Sequence, residues 1–218
     1  MKTRSKILKN FIVIEGLDGA GTTTLSSLLV SHLNSIGIKT VQTREPSDGA
    51  IGQMIRETYL SKKEETTAKG LALLYSADRE DHINNPKTGV KQLLKESVVI
   101  SDRYFYSSLA YQGVNLPFTY IDSINDFEEA EIIIYIDTPV EECLSRIEKR
   151  GSEKELFEKK DFLEKTRENY AKAFEALKNT ENFCLKKIRL LTIDGTLPKE
   201  EVFKTALFFL EAYFLPNL

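Results

Sequence analysis

The stretch that decides the fold is FIVIEGLDGAGTTTLSSLL, residues 11–29, where a short apolar run passes through a glycine-rich turn into a helical pattern. The run at residues 11–15 predicts a buried strand. Leu25, Leu28 and Leu29 recur at the spacing of one helix face. A strand, a glycine turn and a helix in this order form a common anion-binding unit, because the turn and the helix start present backbone N–H groups.

The turn departs from the phosphate-loop pattern G-x-x-x-x-G-K-[ST] at one position. Gly16, Gly21 and Thr23 occupy their expected places, but Thr22 stands where the lysine belongs. The hydroxyl of Thr23 matches the position that binds Mg²⁺ in this pattern. The alternative interpretation is a tight turn whose threonines cap a helix. We favour phosphate binding, because strand, turn and helix all agree.

The remainder of the chain continues the alternation of strands and helices. Further strands are predicted at residues 38–44, 97–101, 132–137 and 188–194, and helices at residues 50–60, 68–83, 87–96, 139–150, 161–177 and 198–214. This order predicts an α/β fold, a five-stranded parallel sheet flanked by helices on both faces. Because we find neither a repeat nor a linker, we expect one domain over residues 1–218.

Composition limits the class of protein. The formal net charge of −3 argues against general nucleic-acid binding, which needs a basic surface. No apolar stretch has the length of a membrane span, and Glu15 ends the first apolar run too early for a signal peptide. Cys143 and Cys184 have neither metal-ligand nor disulfide spacing. We expect both to be reduced packing residues of a cytoplasmic protein.

Two other predicted strands end in groups suited to phosphate. Asp102 follows a buried strand and could hold the water shell of Mg²⁺, while the neighbouring Arg103 could clamp a phosphate through two N–H groups. Arg44, in the motif TREP, ends another strand. The alternative is an ordinary surface Asp–Arg pair. Because parallel strands end at one edge of a sheet, we expect these groups to meet in one crevice.

Taken together, the motifs resemble the thymidylate kinase family, whose members transfer phosphate from ATP to dTMP. The likeness runs from FIVIEGLDGAG through TREP, LLYSADR and DRYFYSSLAYQG to IDGT. LDGAG combined with DRYxxSxxAYQ is the specific part. The resemblance implies a P-loop NTPase-type core, a LID at about residues 146–160, Mg²⁺ as the cofactor, ATP and dTMP as substrates, and a homodimer.

For the acceptor nucleotide, the resemblance implies a role for each matching residue. Tyr75, where the family usually has phenylalanine, would stack on thymine, and Tyr111 would lie under the sugar. Pro46 matches a position often preceded by a cis bond. The residues implied to bind dTMP are Asp18 near the 3′-OH, Arg44 and Arg103 at the phosphates, Tyr75, Arg79 at the base carbonyl, Ser108 and Gln112 at the base edge, and Tyr111.

For the donor and for catalysis, the resemblance implies that Thr23 and Asp102 hold Mg²⁺, directly or through water. The LID would supply a catalytic cation, either Arg146 or Arg150 with Lys154 nearby, unless Arg146 stacks on adenine instead. The alternative for this segment is a solvated charged face. The implied catalytic residues are Asp18, Asp102, Arg103 and Arg150, and the implied ATP-binding residues are Gly16, Leu17, Asp18, Gly19, Ala20, Gly21, Thr22, Thr23, Thr24 and Arg146.

Thr22 leaves three functional hypotheses open. Loss of one preorganised charged group costs about 10²–10³ in rate, so the first hypothesis is an active but slower dTMP kinase with a LID cation in the lysine's role. The second is a nucleotide-binding protein with weak or lost kinase activity. The third is a deoxynucleoside kinase or another nucleoside monophosphate kinase. Arg44 and Arg103 disfavour an acceptor without a phosphate, and the absence of N-K-x-D disfavours a signalling GTPase.

Overall fold

Parallel strands with long apolar runs form the centre of the protein, and a computed structural model describes residues 1, 4, 6–149 and 156–214. The described strands form one sheet in the order β2-β3-β1-β4-β5, and every pairing is parallel. The predicted five-stranded parallel sheet is therefore confirmed. The strands are Ile7–Gly16 (β1), Thr40–Arg44 (β2), Val98–Asp102 (β3), Glu129–Asp137 (β4) and Arg189–Asp194 (β5).

Helices flank this sheet, as predicted. They are Thr22–Ser35 (α1), Ala50–Met54 (α2), Ala68–Asn84 (α3), Val90–Leu93 (α4), Phe105–Tyr111 (α5), Phe118–Ile124 (α6), Val140–Glu148 (α7), Leu156–Lys178 (α8), Glu181–Cys184 (α9) and Lys199–Phe214 (α10). A π-helical turn, Ile55–Leu60, continues α2, and a 3₁₀ turn, Gln112–Val114, continues α5. Helix α1 packs against α10, whereas α5 packs against α8. In the described part of the chain, no helix combines the length and the apolar content that a membrane crossing requires.

The central strand β1 explains why the core and the phosphate loop lie together. Its second half is fully buried because β3 and β4 cover its edges and helices cover its faces. The register pairs Ile14 with Asp102 of β3, and Gly16 with Ile136 of β4. The carboxyl ends of the strands therefore meet at one edge of the sheet, where ligands bind in open α/β folds.

Some predicted elements differ from the structure. The helix predicted at residues 87–96 is only the short α4, since Gly89 begins it in an extended conformation and turns follow Leu93. The short helices α6 and α9 carry too few apolar repeats to be recognised from spacing. Cys143 is buried in the core as expected, but Cys184 is exposed at the end of α9, so its predicted packing role is wrong. Both thiols are free.

Candidate active site

The glycine loop between β1 and α1 is held in a conformation that only glycine adopts easily. Gly19 and Gly21 have φ angles of 88° and 102°. A Cβ added to Gly19 would lie 2.6 Å from the carbonyl oxygen of Cys143, so there is no room for a side chain. The N–H of Ala20 donates to the Leu17 carbonyl at 3.0 Å and closes the turn. Leu17 itself is buried, so its side chain supports the loop from below.

The start of α1 is open to an anion. Among the described side chains, none caps its first N–H groups. Thr22, the residue in the lysine position, is buried, and its methyl group lies 3.1 Å from the place that a Cβ on Gly16 would take. Free N–H groups and the helix dipole favour a phosphate at this point. Thr22 itself contributes no charge.

A hydroxyl and a carboxylate meet beside this helix start. The Thr23 hydroxyl donates to Asp102 Oδ2 at 2.5 Å, because Asp102 ends β3 next to the end of β1. The other oxygen, Asp102 Oδ1, is buried and has no hydrogen-bond partner among the described residues. An unpaired buried carboxylate oxygen is costly, and oxygen ligands of this kind suit Mg²⁺. The two predicted metal residues therefore lie together and fit the ion.

Arg103 lies between the loop and α5. Its φ of 77° is unusual for a residue with a side chain, and its N–H donates to the Ile14 carbonyl at 2.9 Å. Arg103 Nη2 donates to Asp18 Oδ1 at 2.7 Å and to the Tyr111 hydroxyl at 3.2 Å. Its guanidinium carbon lies 4.8 Å from the Tyr111 ring centroid. Asp18, Arg103 and Tyr111, which the resemblance places at the acceptor nucleotide, thus form one cluster.

The first pocket, of about 190 Å³, opens next to this cluster. Burial raises the pKa of Tyr75 to about 12, so its hydroxyl stays protonated at neutral pH. Gln112 Oε1 is buried and has no hydrogen-bond partner among the described residues. The lining residues are Asp18, Glu45, Pro46, Leu60, Tyr75, Arg79, Arg103, Tyr104, Ser107, Ser108, Tyr111 and Gln112. The peptide bond before Pro46 is cis, as expected.

Arg79 forms the floor of the first pocket and is fully buried. Its Nε donates to Glu45 Oε2 at 2.7 Å, and its Nη2 donates to Ser108 Oγ at 3.2 Å. Asn125 Oδ1 accepts from Nη1. Burial alone would raise the pKa of Glu45, but Arg79 and His82 outweigh it and hold that pKa below its usual value. The sequence predicted Arg79 but missed Glu45, although both occur in quoted motifs.

Arg44 is predicted at the acceptor phosphate but does not line this pocket. Its side chain is half exposed and donates to Asp48 Oδ1 from Nε at 3.0 Å and from Nη2 at 2.5 Å. Arg56 also reaches Asp48, at 3.2 Å. Arg44 nevertheless ends β2 beside Asp102 in register. Its role at the phosphate stays a prediction.

The second pocket, of about 490 Å³, lies on the other side of the glycine loop. Arg146 enters it from α7 and donates to the Gly195 carbonyl at 2.8 Å and to Glu142 Oε1 at 2.8 Å. The sequence predicted no role for the segment after β5, although Gly195 and Thr196 occur in the quoted motif IDGT. The lining residues are Gly19, Ala20, Gly21, Thr24, Leu25, Leu28, Ile136, Arg146, Gly195, Thr196, Leu197, Pro198, Lys199 and Val202. Arg150 and Lys154 lie outside the described residues.

A buried carboxylate, Glu15, lies behind both the loop and Arg103. Burial raises its pKa to about 7. It accepts hydrogen bonds from the Tyr104 N–H at 2.8 Å, the Ser107 hydroxyl at 2.6 Å and the Tyr170 hydroxyl at 2.9 Å. Ser107 Oγ also accepts from Arg103 Nη1 at 3.4 Å. A charged residue at the end of an apolar strand is the one signal that could have singled out Glu15.

Comparison with known proteins adds an independent finding. The model of the family described as "Thymidylate kinase" matches residues 14–205. A relative from Methanococcus maripaludis, named "Probable thymidylate kinase", is 38% identical over 203 residues, which cover 92% of this chain and 94% of the relative. Another from Methanococcus aeolicus with the same name is 41% identical over 165 residues, which cover 75% and 78% of the two chains.

Proposed function

Because this chain belongs to the thymidylate kinase family, we propose that it phosphorylates dTMP to dTDP, with ATP as the donor and Mg²⁺ as the cofactor. The family gives the enzyme class, a nucleoside monophosphate kinase. One observation supports the proposal most strongly: two pockets open on opposite sides of one glycine loop, with Asp18 lining one and Gly19 lining the other. Two nucleotides bound there would meet end to end at the loop, as in-line transfer requires.

In the donor half, we assign the second pocket, the larger of the two, to ATP. The phosphates would bind the N–H groups of the loop, residues 16–21, and of the open start of α1, residues 22–24. Arg146 has a planar guanidinium at the pocket wall and would stack on adenine. Thr23 and Asp102 would hold Mg²⁺, which when bound neutralises charge on the phosphates. Asp102 would also fix the Thr23 hydroxyl, which donates to its Oδ2 at 2.5 Å.

In the acceptor half, we assign the first pocket, the smaller of the two, to dTMP. Tyr75 would stack on thymine, and Arg79, Ser108 and Gln112 would bind the base edge. Gln112 Oε1 supports this role, because it is a buried acceptor without a partner among the described residues and could accept a base N–H. The residues proposed to bind the sugar and phosphate are Tyr111, Asp18, Arg103 and Arg44.

Transfer itself needs position and positive charge more than a base, since a phosphate acceptor is already nucleophilic. Arg103 would align the two phosphates, because Asp18 and Tyr111 hold its Nη2 and Ser107 holds its Nη1. Arg44 would have to exchange Asp48 for the acceptor phosphate, a change that an exposed ion pair permits at little cost. Arg150, with Lys154 nearby, would bring the catalytic charge that Thr22 lacks.

We further propose that residues 1–218 act as one P-loop kinase domain, with a LID at about residues 146–160 that closes over the donor. By likeness to its family, the enzyme would act in dTTP synthesis as a cytoplasmic homodimer. A second candidate function is nucleotide binding with weak or lost kinase activity. Thr22 favours it, because no charge from that side chain reaches the donor phosphates.

The test measures ADP formation from ATP and Mg²⁺ with dTMP, dUMP, UMP and thymidine in parallel. We expect the highest kcat/KM with dTMP and no turnover of thymidine, which has no phosphate for Arg103 to align. Arg103→Met should lower kcat by about 10²-fold or more. Arg189→Met, at an exposed arginine on β5 away from both pockets, should leave it unchanged. If dTMP binds but no acceptor yields ADP, the binding-protein alternative replaces the kinase proposal.

A further inference from the structure

A buried histidine, His82, contacts a residue of the smaller pocket, Glu45, without lining the pocket itself. His82, on α3, follows Arg79 by one helical turn. Its Nδ1 lies 3.0 Å from Glu45 Oε1, and its Nε2 lies 2.6 Å from the Thr43 hydroxyl oxygen. Because an ionised carboxylate only accepts hydrogen bonds, Nδ1 carries a hydrogen atom and donates a hydrogen bond to Glu45.

Glu45 joins this histidine to Arg79. One carboxylate oxygen, Oε1, faces His82, while the other, Oε2, accepts from Arg79 Nε at 2.7 Å and lies 2.6 Å from Nη2. All three side chains are buried. Thr43 ends the series on β2, one residue before Arg44. A continuous line of hydrogen bonds therefore runs from the second strand to the guanidinium under the pocket.

Aromatic rings and hydrogen-bond partners surround the guanidinium of Arg79. The rings of Tyr104 and Phe127 lie 5.6 and 5.8 Å from its central carbon. The orientation of this guanidinium is set by its hydrogen bonds to Glu45, Asn125 and Ser108. A rotation of the Glu45 carboxylate would therefore turn the group that faces the ligand.

We propose that His82 is a positioning residue for recognition of the acceptor base, acting through Glu45 on Arg79. This inference rests on the proposed function, because it takes dTMP as the occupant of the smaller pocket. Without His82, Glu45 Oε1 loses the donor that the described residues give it, and leaving a buried carboxylate oxygen unpaired is costly. The available donors lie on Arg79, so the carboxylate rotates toward them and the guanidinium leaves Ser108.

The variants separate the two ends of the imidazole. In His82→Asn the amide nitrogen takes the place of Nδ1 and can still donate to Glu45. In His82→Gln it takes the place of Nε2 and reaches toward Thr43, leaving Glu45 without a donor. His82→Leu removes both contacts at similar volume. The matched control is His32→Leu, because His32 is the only other histidine of the sequence, lies on α1 beside Glu211 and does not line the pocket.

The readouts are the Kd of dTMP by calorimetry, the inhibition constant of 2-deoxyribose 5-phosphate, the KM of ATP, and the thermal midpoint. His82→Leu and His82→Gln should weaken dTMP binding about tenfold, as expected for loss of a hydrogen bond to a charged group. The dTMP Kd of His82→Asn should stay within about threefold of the parent value, and His32→Leu should leave the Kd unchanged. Binding of the base-free sugar phosphate and the KM of ATP should stay constant in every variant, since neither depends on Arg79.

Three outcomes would overturn the inference. The first is an unchanged dTMP Kd in His82→Leu or His82→Gln. The second is equal weakening of dTMP and the sugar phosphate, which would mean a general structural role. The third is a loss in His82→Asn as large as in His82→Gln; this comparison decides the question even if His82→Leu does not fold. A parent protein that binds no dTMP would instead refute the proposed function and the inference with it.

Discussion

Glu15 is an acidic residue in an environment that disfavours its charged form. A carboxylate at the end of an apolar strand is removed from water, and three donors from α5, α8 and the turn before α5 compensate only in part. The compensation keeps the pKa near neutrality rather than higher. Glu15 thereby joins the strand that enters the phosphate loop to the helix that carries Ser107, next to Arg103.

This environment predicts a pH dependence of stability. The folded pKa of about 7 lies above the usual glutamate pKa of 4.5, so between these two values the folded state holds a proton that the unfolded state has lost. Stability should therefore fall as pH rises from about 4.5 to 7 and level off above it, by about 3 kcal/mol in all. Urea unfolding at pH 5, 6, 7 and 8 should show this fall in the parent protein and not in Glu15→Gln.

The control for Glu15 is Glu96→Gln. A hydrogen bond from Lys39 holds the pKa of the exposed Glu96 below its usual value, so its contribution is lost only as pH falls below about 4.5. The difference in unfolding free energy between Glu96→Gln and the parent protein should be constant between pH 5 and 8. If Glu15→Gln keeps the same slope as the parent protein over this range, the buried carboxylate is not its source.

Thr22 makes a second prediction at the level of one residue. Thr22→Lys places an ammonium at the start of α1, where the donor phosphates are proposed to bind. We expect slow but measurable turnover in the parent protein and an increase in kcat of about 10²-fold in the variant, because a preorganised charge is restored. The coupled ATP/dTMP assay measures both, and Thr22→Ser is the control that keeps a small hydroxyl. Equal kcat in the parent protein and in Thr22→Lys would mean that another cation already fills this role.

At the level of elements, the phosphate loop depends on contact with α7 as well as on its own glycines. Gly19 needs both a positive φ and empty space, because the Cys143 carbonyl lies where a side chain would begin. The donor loop and the helix that carries Arg146 are therefore packed against each other. A movement of α7 would therefore displace the loop.

Gly19→Ala tests this contact. The added Cβ should displace the loop and lower kcat/KM by about 10²-fold or more, since small displacements in an active site cost this much. Gly37→Ala is a matched control, because Gly37 has φ 87° and no atom within 4 Å of the added Cβ. It should cost about 1–2 kcal/mol of stability and leave kcat/KM intact. Similar losses of activity in the two variants would contradict a specific role for the Cys143 contact.

The strands and the long helices could be predicted from the sequence because each carries its own periodicity. The apolar run at residues 132–137 indicates a strand with no knowledge of its neighbours, and so does the run before Gly16. Glu45, Glu15 and His82 could not be assigned in this way. Their roles depend on partners far along the chain, such as Arg79 and Tyr170, and no local pattern encodes a contact at that distance.

At the scale of the whole molecule, the two pockets open on opposite sides of one loop and share none of their lining residues. Each ligand should therefore stabilise the fold by itself. At 100 times its Kd, dTMP should add about 3 kcal/mol, which for a chain of this size raises the thermal midpoint by about 5–10 °C.

Thermal unfolding with dTMP, ATP–Mg²⁺ and both together measures this effect. The two shifts should add, since neither pocket borrows a residue from the other. UMP at the same concentration should give a smaller shift than dTMP, because Tyr111 is proposed to lie under the sugar, where its bulk disfavours a 2′-OH. A shift with both ligands that is no larger than with one would mean that they compete for a single site.

The Tyr111 hydroxyl also accepts the N–H of Asp18 at 2.8 Å, so a helix of the acceptor pocket supports the donor loop. Protein engineers who wish to admit ribonucleotides would first shorten this tyrosine. The same change would remove a hydrogen bond that supports the loop proposed to bind the triphosphate. A broader substrate range would therefore come with slower turnover. Redesign would then need a replacement acceptor for that peptide N–H before any gain in sugar tolerance became useful.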